Sequence, residues 1–393
     1  MSEREMAQDA GDEARRLVAA QAPHEEEMPR VAITRREAVA FGLFVLTVVG
    51  FLYFVLPKLA GVGTTLHHIE NGDGWWIAIG VVLELLSFAG YVVLFRAVFV
   101  GKRPRRPRPP GPIGWNESYQ ITMAGLLATR LFATAGAGGI ALTAWALRRS
   151  GMEARLVACR MVAFVVLLYV VYAGSVLLDG IGLGTGLFPG GGSFALTIVP
   201  AIVAAVLMAM VGAMALLPGD IERRLGPWAS GSGRMAHWVA RAVTVPALAA
   251  SGVRTAIELI RERDPGLLGA VAWWGFDICV LWAMFHAFGS PPPFTVIWMS
   301  YFIGMLGNLL PLPGGLGGVE GGMIGAFAAF GVNLDLAVLA VLSYRAISFW
   351  LPTVPGVVAY FQLRRTVARW REEQSAHPAA ATLGGAVETE GVL

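Results

Sequence analysis

Apolar runs of about twenty residues recur along this chain, and that recurrence restricts its fold more than any other feature. A helix of about 20 apolar residues crosses the ~30 Å hydrocarbon layer of a bilayer. Such runs occupy 38–57, 75–100, 155–178, 193–217, 267–289 and 337–362. Charged residues make up 15% of the chain against about 25% in soluble domains, and the 49 glycines suit helices packed closely in lipid. The expected fold class is all-α: a polytopic transmembrane helical bundle with its mass in the bilayer and no soluble catalytic domain.

Several chemistries find no support. Cys159 and Cys279 both fall inside apolar runs, which suits buried thiols better than a disulfide or a thiolate metal site. The histidines are scattered apart from His67 and His68, with no HxxxH or HExxH spacing, so no metal, no cofactor and no enzyme activity is expected. The polar first 36 residues lack a short apolar core with a small-residue cleavage site. Residues 1–36 and 366–393 read as disordered cytoplasmic tails, and 37–365 as the membrane domain.

Arginine and lysine accumulate on the cytoplasmic side of spans. They crowd the N-terminal tail, the 101–108 loop, the 148–155 turn, the 218–264 stretch and the chain from Arg364, whereas loops 58–74, 179–192, 290–293 and 332–336 hold Lys58 alone. Placing every basic loop inside puts both termini in the cytoplasm of a plasma-membrane protein. It also fixes two irregular apolar segments. Segment 118–148 has basic residues at both ends and must return to the cytoplasm; segment 294–331, bare at both ends, must return to the outside. Each is then a re-entrant helical hairpin or a pair of helices, turned by Gly136–Gly139 in the first and by Pro311–Gly318 in the second. Non-helical backbone at membrane depth is tolerated only inside protein or along a wet cavity.

The two irregular segments also align with each other. At an offset of 180 positions Gly138 falls on Gly318, Ala146 on Ala326 and Gly151 on Gly331. Span, span, irregular segment, span occurs twice, in halves of about 37–180 and 190–365, and the second copy starts from the opposite side. That is an inverted repeat, a plan found in secondary transporters; the plain alternative is that small-residue membrane helices resemble one another by composition.

A charge at the bilayer centre costs about 2.5–3.5 kcal/mol on insertion scales. Glu84, Arg130, Asp277, Glu320 and Arg345 lie well inside the apolar segments. Arg96 and Arg160 lie nearer the cytoplasmic ends, where snorkelling accounts for them. Arg130, Glu320 and Arg345 either line a polar path between the halves or form a buried pair that holds the halves together; Glu84 and Asp277 are secondary candidates. Asn308 is a polar partner at the entrance to the second turn. The glycines of 314–318 have three uses open to them: close helix approach, a sharp turn, or free N–H groups at a helix N-terminus that meet an anion. No Gly-Lys-Ser/Thr follows, so this is no P-loop.

The string Pro311-Leu-Pro-Gly-Gly-Leu-Gly-Gly-Val-Glu320, followed by Ser343-Tyr-Arg345-Ala-Ile-Ser-Phe-Trp-Leu-Pro352, resembles the signature of the lysylphosphatidylglycerol synthase transmembrane-region family, or flippase-like domain proteins. The resemblance covers about 40–365. It implies a lipid translocator for an anionic or aminoacylated phospholipid or a lipid-linked headgroup, with Pro311, Pro313, Gly314, Gly315, Gly317, Glu320 and Arg345 as its motif positions. Ala133 and Ile140 stand where the repeat would put Pro313 and Glu320. The full synthase carries a soluble aminoacyl-transferase domain after the membrane part. About 30 residues follow the last span here, so lipid aminoacylation is expected only with a separate enzyme partner.

Residues 227–262 mix Trp228, Trp238, Ile257 and Leu259 with Arg234, Arg241, Arg254, Arg261 and Arg263, a pattern of amphipathic helices lying on the cytoplasmic face. Lys102–Arg108 either contacts anionic headgroups or merely fixes topology. Basic character follows the membrane side so closely that nucleic acid is not an expected partner; membrane lipids are. Lipid translocation without ATP hydrolysis is the first reading of function, and a membrane scaffold for a separate lipid-modifying enzyme or glycosyltransferase is the alternative.

Overall fold

A computed structural model describes residues 72–101, 113–131, 137–216, 234–310, 312 and 315–389, and of 131, 137, 234–245 and 374–389 the backbone alone. The N-terminal tail, the 38–57 run, His67 and His68, the 102–108 loop and Gly136 of the first glycine cluster lie outside these residues.

No strand occurs among the described residues. Helices α1 (Gly74–Phe99), α2 (Trp115–Leu131), α3 (Ala137–Arg149), α4 (Ala154–Gly184), α5 (Phe194–Ala215), α6 (Arg234–Arg261), α7 (Leu268–Phe288), α8 (Phe294–Met305), α9 (Gly318–Ala329), α10 (Leu334–Arg345) and α11 (Thr353–Thr389) follow in order. Among the described residues five segments are long and apolar enough to cross a membrane: Gly74–Phe99, Ala154–Gly184, Phe194–Ala215, Pro265–Phe288 and Leu334–Glu373. The 22 residues of α5 reach about 33 Å at 1.5 Å each. Val199, Ile202, Val203, Val206, Leu207 and Met210 of α5 are exposed, an apolar flank that water does not tolerate and lipid does.

The most extensive contact joins α1 to α7. Glycine sets how closely they approach. A Cβ on Gly269 would stand 2.3 Å from Gly90 O, and one on Gly80 would meet Met284 at 2.7 Å. Asp73 N–H donates to Ala287 O at 3.0 Å. As the α1 number rises the α7 number falls, so the pair is antiparallel.

The segments 118–148 and 294–331 are each two helices packed on each other, α2 with α3 and α8 with α9. Their local structure matches at the 180-residue offset. Gly151 N–H bonds Arg148 O and Met152 N–H bonds Leu147 O; Gly331 N–H bonds Ala328 O and Val332 N–H bonds Phe327 O. Both are Schellman caps, closed by a glycine in the left-handed region (φ 89° and 77°). The next helices then begin at Ala154 and Leu334, again 180 apart.

Loop ends sort into two groups. Thr295 Oγ1 donates to Pro189 O (2.5 Å), Gly192 lies against Phe330 and Gly289 against Leu336, and Asp73 joins Ala287, so the ends of the four loops poor in basic residues gather together. At the other end Gly266 meets Ala97, and Trp370 shares a core with Phe99, Leu147 and Met152.

Three expectations change. Residues 234–261 form one helix, α6, that packs on α4 and α5; its Ala250, Val253, Ala256 and Leu259 are buried in protein, where separate surface-lying helices were expected. The chain from 366 is helical as far as Thr389, where a disordered tail is expected, and its first turns are held by the burial of Thr366, Val367 and Trp370. The single span expected at 337–362 is interrupted by a π-helical turn, Ala346–Trp350, and by Leu351–Pro352.

Candidate functional site: a buried charge cluster at the helix breaks

Midway along the α1–α7 contact, the antiparallel register sets Glu84 opposite Asp277, with the two carboxyl groups within hydrogen-bonding reach. Asp277 Oδ2 accepts the hydroxyls of Tyr301, from α8, and Tyr344, from α10, the latter at 3.0 Å. Tyrosine belongs in such a place, because its ring fills apolar volume and its O–H finds an acceptor.

Glu320 sits in the first turn of α9. Its Oε2 accepts Gly317 N–H at 2.7 Å and its Oε1 accepts Arg345 Nε at 2.7 Å. An acid three residues past the N-cap completes a capping arrangement, so the helix start is served by its own side chain. Of the three uses open to the glycines, the structure shows two. Gly315 and Gly317 turn the chain with φ of 67° and 83°, and Gly307 abuts Gly318 so closely that a Cβ would fall 2.3 Å from the Gly318 carbonyl carbon. The Gly317 N–H is not left for an external anion.

Arg130 ends α2 and reaches the break in the other half of the chain. Its two guanidinium nitrogens donate to Ser348 O and Phe349 O, each at 2.8 Å. The reason is local: Pro352 has no N–H, so the carbonyl four residues earlier, Ser348 O, loses its α-helical donor. The Phe349 ring lies by both guanidinium groups, 5.5 Å from Arg130 and 5.3 Å from Arg345, within cation–π range.

Glu84, Asp277, Arg130, Glu320 and Arg345, scattered over the sequence, thus meet in one electrostatic cluster. Asn308 stays apart: it is exposed, its Nδ2 donates to Met305 Sδ at 3.3 Å, and its Oδ1 stands beside Gly315. Pro311, Pro313 and Gly314 lie outside the described residues. The cluster is packed interior, not the lining of an open crevice: Glu84 is 2% exposed, Asp277 6% and Glu320 1%.

Of the two arginines assigned to snorkelling, Arg160 points inward and Arg96 stays at the end of α1, half-buried. Arg160 is 5% exposed and donates to Phe99 O at 2.6 Å. Arg96 lies 4.1 Å over the Trp115 ring and donates to Ser118 Oγ at 3.2 Å. Sequence reading missed Asp179, which is fully buried in α4 with neither carboxylate oxygen bonded to a described donor. It falls one residue past the apolar run ending at 178, at the start of the 179–192 loop of the sequence reading; an acid so close to a run's edge is the available signal.

A helical membrane protein with four buried ionisable side chains, Glu84, Asp277, Glu320 and Arg345, and a half-buried Arg130 gathered at helix breaks defines the class. The lysylphosphatidylglycerol synthase TM region model matches residues 38–356, and the chain belongs to that family, the membrane part and not the catalytic part of the synthase. A UPF0104 membrane protein of Methanothermobacter thermautotrophicus is 37% identical over 109 residues, 28% of this chain and 31% of the relative. UPF0104 membrane protein MJ1595 of Methanocaldococcus jannaschii is 30% identical over 93 residues, 23% of this chain and 28% of the relative. The chain thus spans less than a third of the length of these curated relatives. No solved structure matches it.

Proposed function

We propose that the chain moves a phospholipid or lipid-linked headgroup between the leaflets of the plasma membrane without ATP hydrolysis. The observation that carries this reading is the convergence of Arg130 and Arg345, the latter paired with Glu320, on one ring, Phe349, at the point where the last span breaks. Buried charge is costly in a membrane and is retained where it serves a path or a site. Two guanidinium groups suit the phosphate of an anionic lipid.

The 180-residue correspondence of the hairpin caps and the antiparallel α1–α7 pair support an inverted repeat with two re-entrant hairpins. Basic residues on one set of loops support cytoplasmic termini. Because the cluster is closed, translocation requires the hairpins to part, and the helix breaks provide the hinges.

The test is purified protein in phosphatidylcholine vesicles carrying fluorescent phosphatidylglycerol, with outer-leaflet label quenched chemically. Wild type exposes inner-leaflet label; Glu320→Gln and Arg345→Ala insert but do not. Label that stays where it started in wild-type vesicles overturns the reading and favours a scaffold for a separate enzyme.

A further inference from the structure

Within the cluster, the Glu84–Asp277 pair is the part whose hydrogen bonding does not close on itself. Asp277 Oδ2 takes two tyrosine hydroxyls, but Asp277 Oδ1 and Glu84 Oε2 receive no N–H or O–H from the described residues. Both side chains are more than nine-tenths buried. What each has within reach is the other carboxyl. Ionised carboxylates only accept, so two of them cannot bond to each other, and two negative charges so close in a low-dielectric interior repel strongly. A single proton between them removes both problems.

The charge count points the same way. Three acids, Glu84, Asp277 and Glu320, face two bases, Arg130 and Arg345. Fully ionised, the cluster carries −1; with one proton on the carboxyl pair it is neutral, the state a buried cluster favours.

The groups around the pair come from every neighbouring helix: Tyr301 from α8, Tyr344 and Arg345 from α10, Arg130 from α2, and Glu320 of α9 behind Arg345. Helix α4 adds Tyr172, whose hydroxyl is committed to Phe302 O at 2.6 Å. A metal cation fits poorly. Hard cations take six or more oxygen ligands, both tyrosine hydroxyls turn their hydrogens toward Asp277, and the two guanidinium groups repel a cation.

We infer that Glu84 and Asp277 together bind one proton, and that this proton is the ion whose gradient drives lipid movement; the second half rests on the lipid-translocation reading. The proton adds to one carboxylate and is shared with the other through an O–H···O hydrogen bond, and no covalent bond between heavy atoms changes.

Infrared spectroscopy of the purified protein at neutral pH tests the first half. Wild type should show the carbonyl band of a protonated carboxyl, moved by deuterium oxide. Asp179→Asn, which removes the buried acid of α4 from the spectrum, should keep the band, and Glu84→Gln or Asp277→Asn added to that variant should each remove it. A wild-type spectrum without the band overturns the site whatever the variants do, as does a band that survives both substitutions.

The same vesicles test the second half. For one proton per lipid, an imposed gradient of about one pH unit shifts the leaflet distribution of labelled phosphatidylglycerol by up to about tenfold, and replacing sodium by choline changes nothing. Label that moves but ignores the pH gradient, or that requires sodium, overturns the coupling and leaves translocation standing. Label that never moves overturns translocation and coupling together, while the infrared result still decides the proton site.

Discussion

Arg130 donates to Ser348 O at 2.8 Å across 218 positions of sequence, supplying the hydrogen bond that Pro352 cannot. The contact fastens the end of α2 in the first half to the broken span of the second. A hydrogen bond from a charged donor contributes about 1.5–3 kcal/mol, and Arg130 makes two such bonds. Arg130→Ala should therefore lower stability by about 3 kcal/mol or more. Arg130→Lys, with one ammonium in place of a fork, should lose roughly half of that. Thermal unfolding in detergent compares the two.

The Glu320–Arg345 pair gives a second prediction. Removing one partner of a buried ion pair strands the other and costs about 3–5 kcal/mol. Glu320→Ala and Arg345→Ala should each fall in that range, and the double variant should cost well below their sum. Glu320→Gln should be milder than Glu320→Ala, since its amide oxygen still accepts Gly317 N–H. A double-mutant cycle on unfolding free energies settles it.

Helix approach separates two glycines of α7. A Cβ at Gly269 would stand 2.3 Å from Gly90 O, whereas nothing lies within 4 Å of one at Gly275. Gly269→Ala should force α1 and α7 apart and reduce the yield of folded protein. Gly275→Ala should be neutral or stabilise by up to about 1 kcal/mol, the helix-propensity gain. Yield after size-exclusion chromatography distinguishes them.

The turn before α9 gives a parallel contrast. Gly317 has φ 83°, so Gly317→Ala should cost about 1–2 kcal/mol of backbone strain even though its Cβ would meet nothing within 4 Å. Gly321, four residues on with equally open space and an ordinary helical backbone, should accept alanine without loss. Melting temperatures of the two variants give the comparison.

Much of the fold was legible because lipid demands so much of a sequence. A span must be apolar for its whole length, so α1, α5 and α7 appear at their sequence positions within about two residues, and α4 begins where expected but runs on to Gly184. Gly315 and Gly317 turn the chain before α9 for equally local reasons. The π-helical interruption at Ala346–Trp350 was not legible: Pro352 warned of a break but not of its form. The burial of Arg160 and of Asp179 depends on what packs alongside, and the apolar run containing or adjoining each gives no measure of that.

The same division holds for the site. Sequence alone determined which side chains are costly enough in a membrane to need a reason, and so singled out Glu84, Arg130, Asp277, Glu320 and Arg345. It left open which of them meet. Tertiary structure decided that, through the glycine-set register of α1 against α7, which brings Glu84 to Asp277, and through the Ser348 carbonyl released at Pro352, which draws Arg130 to the Phe349 ring beside Arg345. Cost is a property of each residue in its own segment, but partnership depends on the relative placement of segments far apart in the chain.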